Sequence, residues 1–183
     1  MGGNRQTAVF GGGCFWCTET IFKQLKGVTS VVSGYAGGDL PIGGENPTYE
    51  QVSSGKSGHA EVIKIEYDPK IIAYPKLLEI FFAFHDPTTL NRQGADVGSQ
   101  YRSIILFTSP DQEIQVRNYI KKLGDQKIYT DKIVTEVKPL NKFFEAEESH
   151  QNYYEKNPLL PYCQVVISPK LAKIREKYAK LLK

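Results

Sequence analysis

Three consecutive glycines, Gly11 to Gly13, separate a short apolar run ending at Phe10 from a helix-like pattern that opens with Cys14-Phe15-Trp16-Cys17. Glycine lets the backbone turn sharply from strand to helix, and it leaves the following residue unshielded by neighbouring side chains. The spacing therefore predicts a strand over 6–11 and a helix over 15–26, with Phe15, Ile21, Phe22 and Leu25 buried and Gly27 as the stop. Cys14 then opens the helix, where free N–H groups and the helix dipole would stabilise a thiolate. Cys17 lies one turn on, on the same face. The pattern reads as a nucleophile, Cys14, with a second thiol beside it and an apolar wall from Phe15 and Trp16. A buried cysteine pair in a core turn is the plainer alternative.

Beyond Gly27 a strand over Val28 to Tyr35 is expected, and then residues 34–59 hold seven glycines and two prolines without periodicity. That stretch reads as a long loop of the kind that binds or moves. From Ala60 to Tyr67 the pattern alternates, placing Glu61, Ile63, Ile65 and Tyr67 on one face. A carboxyl group on that apolar face is desolvated, so its pKa rises and it stays protonated nearer neutral pH. The competing reading is a strand-end glutamate that escapes into the flanking loop. A core helix is expected from Pro75 through His85, with Leu77, Leu78, Phe81 and Phe82 as its stripe, followed by a second loop, 86–100, as a candidate wall of the site. The rest reads as a strand over Ile104 to Phe107, a helix from Asp111 to Leu123, a short strand near Ile133 to Val137, a helix over 144–156, and a final helix from Ser168-Pro169 bearing Leu171, Ile174, Tyr178 and Leu181. Strands and helices interleave without doubly wound spacing, so the fold class is α+β, two layers with mainly antiparallel pairing, in one catalytic domain over residues 1–183.

The charge balance, 23 basic against 20 acidic residues, spreads along the chain and does not imply nucleic-acid binding. Three cysteines, with no apolar leader or long apolar run, point to a reducing, cytoplasmic setting without a membrane span. Met1-Gly2-Gly3 fails as a myristoylation signal because Gln6 stands where Ser or Thr is needed. No metal is expected: a single C-x-x-C and three dispersed histidines, His59, His85 and His150, do not have zinc-ligand spacing. No other cofactor is implied.

The stretch Gly13-Cys14-Phe15-Trp16-Cys17 resembles the active-site signature of the class A peptide methionine sulfoxide reductases. The resemblance continues through GYAGG (34–38), NPTYEQV (46–52), SGHAEV (57–62), FHDPTTLNRQGADVGSQYRS (84–103), HQNYYEKNP (150–158) and PYCQVVISPK (161–170). It implies an α/β roll around a split β-α-β core and the reduction of methionine S-sulfoxide, free or in oxidised proteins, with thioredoxin as reductant. Cys14 would attack sulfur and become a sulfenic acid while Glu61 protonates the oxygen. Tyr49 and Tyr101 would hydrogen-bond that oxygen, Phe15 and Trp16 would seat the methyl group, and Asp96 would hold the substrate amide.

A second thiol must reduce the sulfenic acid, and Cys17 and Cys163 are the candidates. Family tails often carry a resolving cysteine, together with a glycine-rich stretch and a further cysteine that this chain lacks. The choice falls on Cys163: after Pro158 and Pro161 its segment is expected to be irregular and able to swing toward the site. A thioredoxin-type thiol–disulfide oxidoreductase using Cys14 and Cys17, with Glu61 incidental, is the competing class.

Overall fold

The computed structural model describes residues 5–38 and 46–183; residues 39–45 of the long glycine-rich stretch, and the Met1-Gly2-Gly3 segment, lie outside the described residues. Strand β1 (Gln6–Gly12) leads through the glycine turn into helix α1 (Phe15–Lys23), which returns as β2 (Val28–Ala36). Strand β3 (Ala60–Tyr67) lies between β1 and β2 and antiparallel to both, so β1 and β2 run parallel with a strand inserted between them. That is the split β-α-β core. Strand β6 (Ser103–Phe107) pairs antiparallel with β1 and parallel with β7 (Glu136–Pro139), and β8 (Phe143–Glu145) closes the other edge against β2. The six strands take the order β7-β6-β1-β3-β2-β8.

The alternation read from residues 60–67 holds. Ile63, Ile65 and Tyr67 enter the main core with Phe10, Phe22 and Phe81, while Ala60 and Val62 join Val9, Ile104 and Leu106 on the opposite face. Helix α3 (Tyr74–Phe84), with Pro75 in its first turn, lays Phe81 against Phe10 at 5.0 Å between ring centroids. A fully buried Phe, Leu or Ile side chain of this kind contributes about 1.5–3 kcal/mol. Helix α4 (Pro110–Asp125) is capped by Ser109, and α6 (Ser168–Tyr178) buries Leu171, Ile174 and Tyr178 as expected.

Four expectations need correction. Helix α1 ends three residues early, because Leu25 and Lys26 pair with the C-terminal segment instead: Lys26 N–H donates to Leu181 and Leu25 bridges Leu182. The 34–59 stretch contains a short helix, α2 (Tyr49–Ser53), started by a reciprocal capping box between Thr48 and Gln51. Likewise the 86–100 loop folds into a small hairpin of β4 (Arg92–Gln93) and β5 (Asp96–Val97) before a 3-10 turn over Ser99–Tyr101. The continuous helix expected over 144–156 is absent. Its start is β8, its middle a 3-10 turn (Glu148–His150), and only α5 (Tyr153–Lys156) is α-helical. Edge pairing and a side-chain clamp explain this: Ala146 N–H bonds Ser33, the Gln151 amide brackets the Ser33 backbone, and Asn152 sits at φ +55°.

Candidate active site

Residues 11–14 place the thiol. Gly13 has φ +96°, where L side chains are strained, and a Cβ there would meet the Gln93 side chain at 2.6 Å. A Cβ on Gly11 would stand 2.8 Å from the Glu61 carbonyl oxygen, so only glycine lets β1 pass this close to β3. The turn ends at Cys14, the N-cap of α1, with ψ 126° and 7% of its surface exposed.

Glu61 lies on the buried face of β3, as the alternation predicts, and is 1% exposed. One carboxyl oxygen accepts the Phe15 N–H at 3.0 Å, and no other described residue hydrogen-bonds to the group. Burial pushes its pKa up to about 8 against the opposing pull of that N–H bond, with Asp96 and Cys17 adding to the rise.

The thiolate expected at Cys14 from the helix dipole is not what the site favours at rest. The N–H of the first helical residue is taken by Glu61, and burial holds the Cys14 thiol well above its ordinary pKa. Cys17, by contrast, is lowered by its interaction with the Cys14 thiol in spite of its own burial. Each thiol thus bears on the ionisation of the other.

The aromatic side chains make the surroundings. Phe15 is 1% exposed and packs between Tyr35 and His150, each 5.7 Å away between centroids, so it can meet a ligand only as a floor. Half-buried Trp16 stacks on Tyr153 at 3.6 Å and donates its indole N–H to His150 Nδ1 at 3.3 Å. Tyr49 stacks on His150 at 4.2 Å. Tyr101 and Tyr49 both stand within electrostatic reach of Glu61 and Cys14, and burial raises both phenols. Asp96, on β5, accepts the Tyr162 hydroxyl at 2.7 Å. The structure thus gathers Cys14, Glu61, Phe15, Trp16, Tyr49, Asp96, Tyr101 and Cys17 in one place.

Cys163 is placed otherwise than expected. It is fully buried in the main core at the start of a π-helical turn, Cys163–Ile167, that continues directly into α6. Pro161 begins this helical run rather than preventing it, since proline lacks only an N–H that the first turn leaves unbonded anyway. Burial raises the Cys163 thiol, and charge on Cys17 adds to the rise. The segment is not a free arm.

Sequence reasoning missed Tyr162, Tyr153 and Glu147. The Tyr162 hydroxyl bonds Asp96 and lowers both thiols of the pair, and its ring meets the Trp16 ring edge-on at 5.8 Å. Its only sequence signal is its place beside Cys163. The histidines are held by hydrogen bonds: His59 Nδ1 accepts the Gly38 N–H, and His85, lowered to about 4 by burial, lies between Phe81 O and Ser103 Oγ.

The family model for peptide methionine sulfoxide reductase matches residues 6–182. The chain belongs to that family. A peptide methionine sulfoxide reductase MsrA of Haloquadratum walsbyi is 55% identical over 177 residues, covering 97% of this chain and 98% of the relative. Among solved structures, Mxr1 of Saccharomyces cerevisiae in reduced form aligns with TM-score 0.81 at 34% identity, over 87% of this chain and 89% of that one. Mxr1 in complex with Trx2 aligns with TM-score 0.57 at 24% identity, over 81% of this chain and 84% of that one, a likeness of fold. The family match, over nearly the whole chain, is to the sulfoxide reductases and not to a plain thiol–disulfide oxidoreductase.

Proposed function

We propose that this protein reduces methionine S-sulfoxide, free or in oxidised proteins, in the cytoplasm, as a single catalytic domain spanning residues 1–183. The observation that carries the reading is a fully buried carboxyl group bonded to the N–H at the helix start that presents a thiol, where burial favours its protonated form. Within the Cys14–Cys17 pair a proton moves to Cys17, and the Cys14 thiolate attacks the sulfoxide sulfur. Glu61 gives its proton to the oxygen, the S–O bond breaks, and the hydroxide so released attacks the Cys14 sulfur, so that the new S–S bond breaks and methionine leaves. Sulfur of the substrate gains two electrons and Cys14 loses two, ending as a sulfenic acid with Glu61 ionised. Tyr49 and Tyr101 bond the oxygen, Trp16 over the Phe15 floor seats the methyl group, and Asp96, poised by Tyr162, lines the pocket.

Cys17, one helical turn from Cys14, then attacks the sulfenic sulfur to form a disulfide and water. This reverses the preference for Cys163 as first partner, because Cys163 is locked in a buried helical turn while Cys17 lies one turn from Cys14, its N–H bonded to the Cys14 carbonyl. A dithiol reductant, thioredoxin by the precedent of the Mxr1–Trx2 complex, reopens the disulfide and is oxidised in turn. The cytoplasmic assignment is supported by three free cysteines, and no described helix is long and apolar enough to cross a membrane.

The test is turnover of methionine sulfoxide with dithiothreitol. Wild type is expected to turn over and Cys14→Ser to be inactive, because a serine hydroxyl is neither ionised nor soft enough to attack sulfur near neutral pH. Turnover by Cys14→Ser would overturn the mechanism.

A further inference from the structure

Glu147 lies between β8 and the 3-10 turn that carries His150, outside every motif singled out above. Its carboxylate makes two bonds to distant parts of the chain. One oxygen accepts the Tyr49 backbone N–H at 2.8 Å, and the other accepts the Tyr35 hydroxyl at 2.7 Å. Tyr49 is the first residue of α2, where the leading N–H groups have no partner inside the helix and favour a negative charge. The Thr48–Gln51 capping box satisfies the N–H groups of Thr48 and Gln51, and Glu147 takes that of Tyr49. Tyr35 in turn is fully buried on β2 with its ring 5.7 Å from Phe15.

The carboxylate itself has a fixed base. Ala146 N–H bonds Ser33, the Gln151 side chain bonds the Ser33 backbone from both sides and also Ala146, and the Glu147 carbonyl accepts the His150 N–H. A five-residue helix at the end of a long loop has little packing of its own; of its residues only Val52 is buried. Its registry against the sheet therefore depends on tethers. Burial raises the Glu147 carboxyl, but the bonds from Tyr49 and Tyr35 outweigh it and hold the group below its ordinary value.

We propose that Glu147 is a positioning residue for the reaction: it fixes the start of α2 to β2, and so sets where the Tyr49 phenol meets the sulfoxide oxygen. It touches neither thiol nor substrate. This rests on the reading that Tyr49 binds that oxygen, and it adds what aims Tyr49.

The test is a double-mutant cycle on kcat/KM for methionine sulfoxide with dithiothreitol, using Glu147→Ala and Tyr49→Phe singly and together. A charge-assisted bond at a partly exposed site is worth about a kcal/mol, so Glu147→Ala alone is expected to lower kcat/KM by roughly three- to ten-fold. In the Tyr49→Phe background the same change should cost less than about two-fold, because the phenol it aims is gone. Tyr35→Phe keeps the bond to Tyr49 N–H and should stay within about two-fold of wild type. Should the alanine variant fail to fold, Glu147→Gln, which has one acceptor oxygen in place of two, enters the same cycle with a smaller but equally coupled loss. Losses that add across the cycle, with Tyr49→Phe itself impaired, overturn this proposal alone. A fully active Tyr49→Phe overturns both it and the assigned role of Tyr49.

Discussion

Replacing Glu61 by glutamine tests the central claim through two readouts of one titration. The amide keeps the size of the side chain and an oxygen for the Phe15 N–H, so the turn at Cys14 should survive. What it cannot do is give up a proton. Loss of a positioned general acid costs about 10²–10⁴ in rate, so the first step, reduction of one sulfoxide per enzyme, should slow at least a hundred-fold. The assay is single-turnover stopped flow; the chain's one tryptophan, Trp16, adjoins Cys14 and serves as the fluorescent reporter. With the acid at about 8, its protonated form falls from about nine-tenths at pH 7 to about one-tenth at pH 9. The wild-type rate should therefore carry a descending limb near pH 8 that the glutamine variant lacks. The second readout is stability. A folded pKa of about 8 against the ordinary carboxyl value of 4.5 means that the native state holds a proton the unfolded chain has lost. Stability from this group is complete below about pH 4.5 and is lost as pH rises through 8. The loss amounts to a few kcal/mol, because each pH unit between the two values contributes about 1.4 kcal/mol. Glu61→Gln should flatten that slope and be the more stable protein at pH 9 in urea. A rate reduced less than ten-fold, or a pH limb shared by both proteins, would refute the assignment of Glu61 as the acid.

Two further outcomes concern the sulfur and its neighbours. Cys17→Ser should release one methionine per enzyme and then stall with thioredoxin, whereas Cys163→Ser should still form the first disulfide; peptide mapping after one oxidation cycle reads this directly, and a Cys14–Cys163 bridge as the sole product would restore the distant thiol as first partner. Tyr162→Phe removes a hydroxyl that lowers both thiols, so the alkylation profile of the pair should move to higher pH, and an unmoved profile would make Tyr162 a packing residue only.

What could be read from the chain beforehand was whatever depends on neighbours in sequence. The parity of β3 put Glu61 on the buried face because strand side chains alternate regardless of partners, and the three glycines marked the turn because no other residue fits it. Helix α2 was within reach too, since Thr48-x-x-Gln51 is a capping signal, but five residues are too few to show a period. Residues 144–156 misled for the opposite reason. Their composition tolerates helix, and what forbids it is edge pairing with β2 and the Gln151 clamp on Ser33, 118 residues away. Tyr162 and Glu147 matter through partners 66 and 98 to 112 residues distant, which no local pattern reports.

One tension runs through the site. On the proposed mechanism the acid must be kept from ionising and the nucleophile must ionise, yet Glu61 and Cys14 are both buried at the same strand-to-helix turn, and burial raises both. Distinct partners separate them. Glu61 receives a single backbone N–H, too little to offset its desolvation, so it keeps its proton near neutral pH. Cys14 faces Cys17 and the Tyr162 hydroxyl, two groups with mobile hydrogens, and Cys17 is itself lowered by its interaction with Cys14 and by Lys170. The pair can therefore ionise as a unit and shift its remaining proton toward Cys17 when a sulfoxide arrives. Protonating Glu61 also removes a carboxylate charge that opposes charge on Cys14, so the acid's raised pKa favours the thiolate beside it.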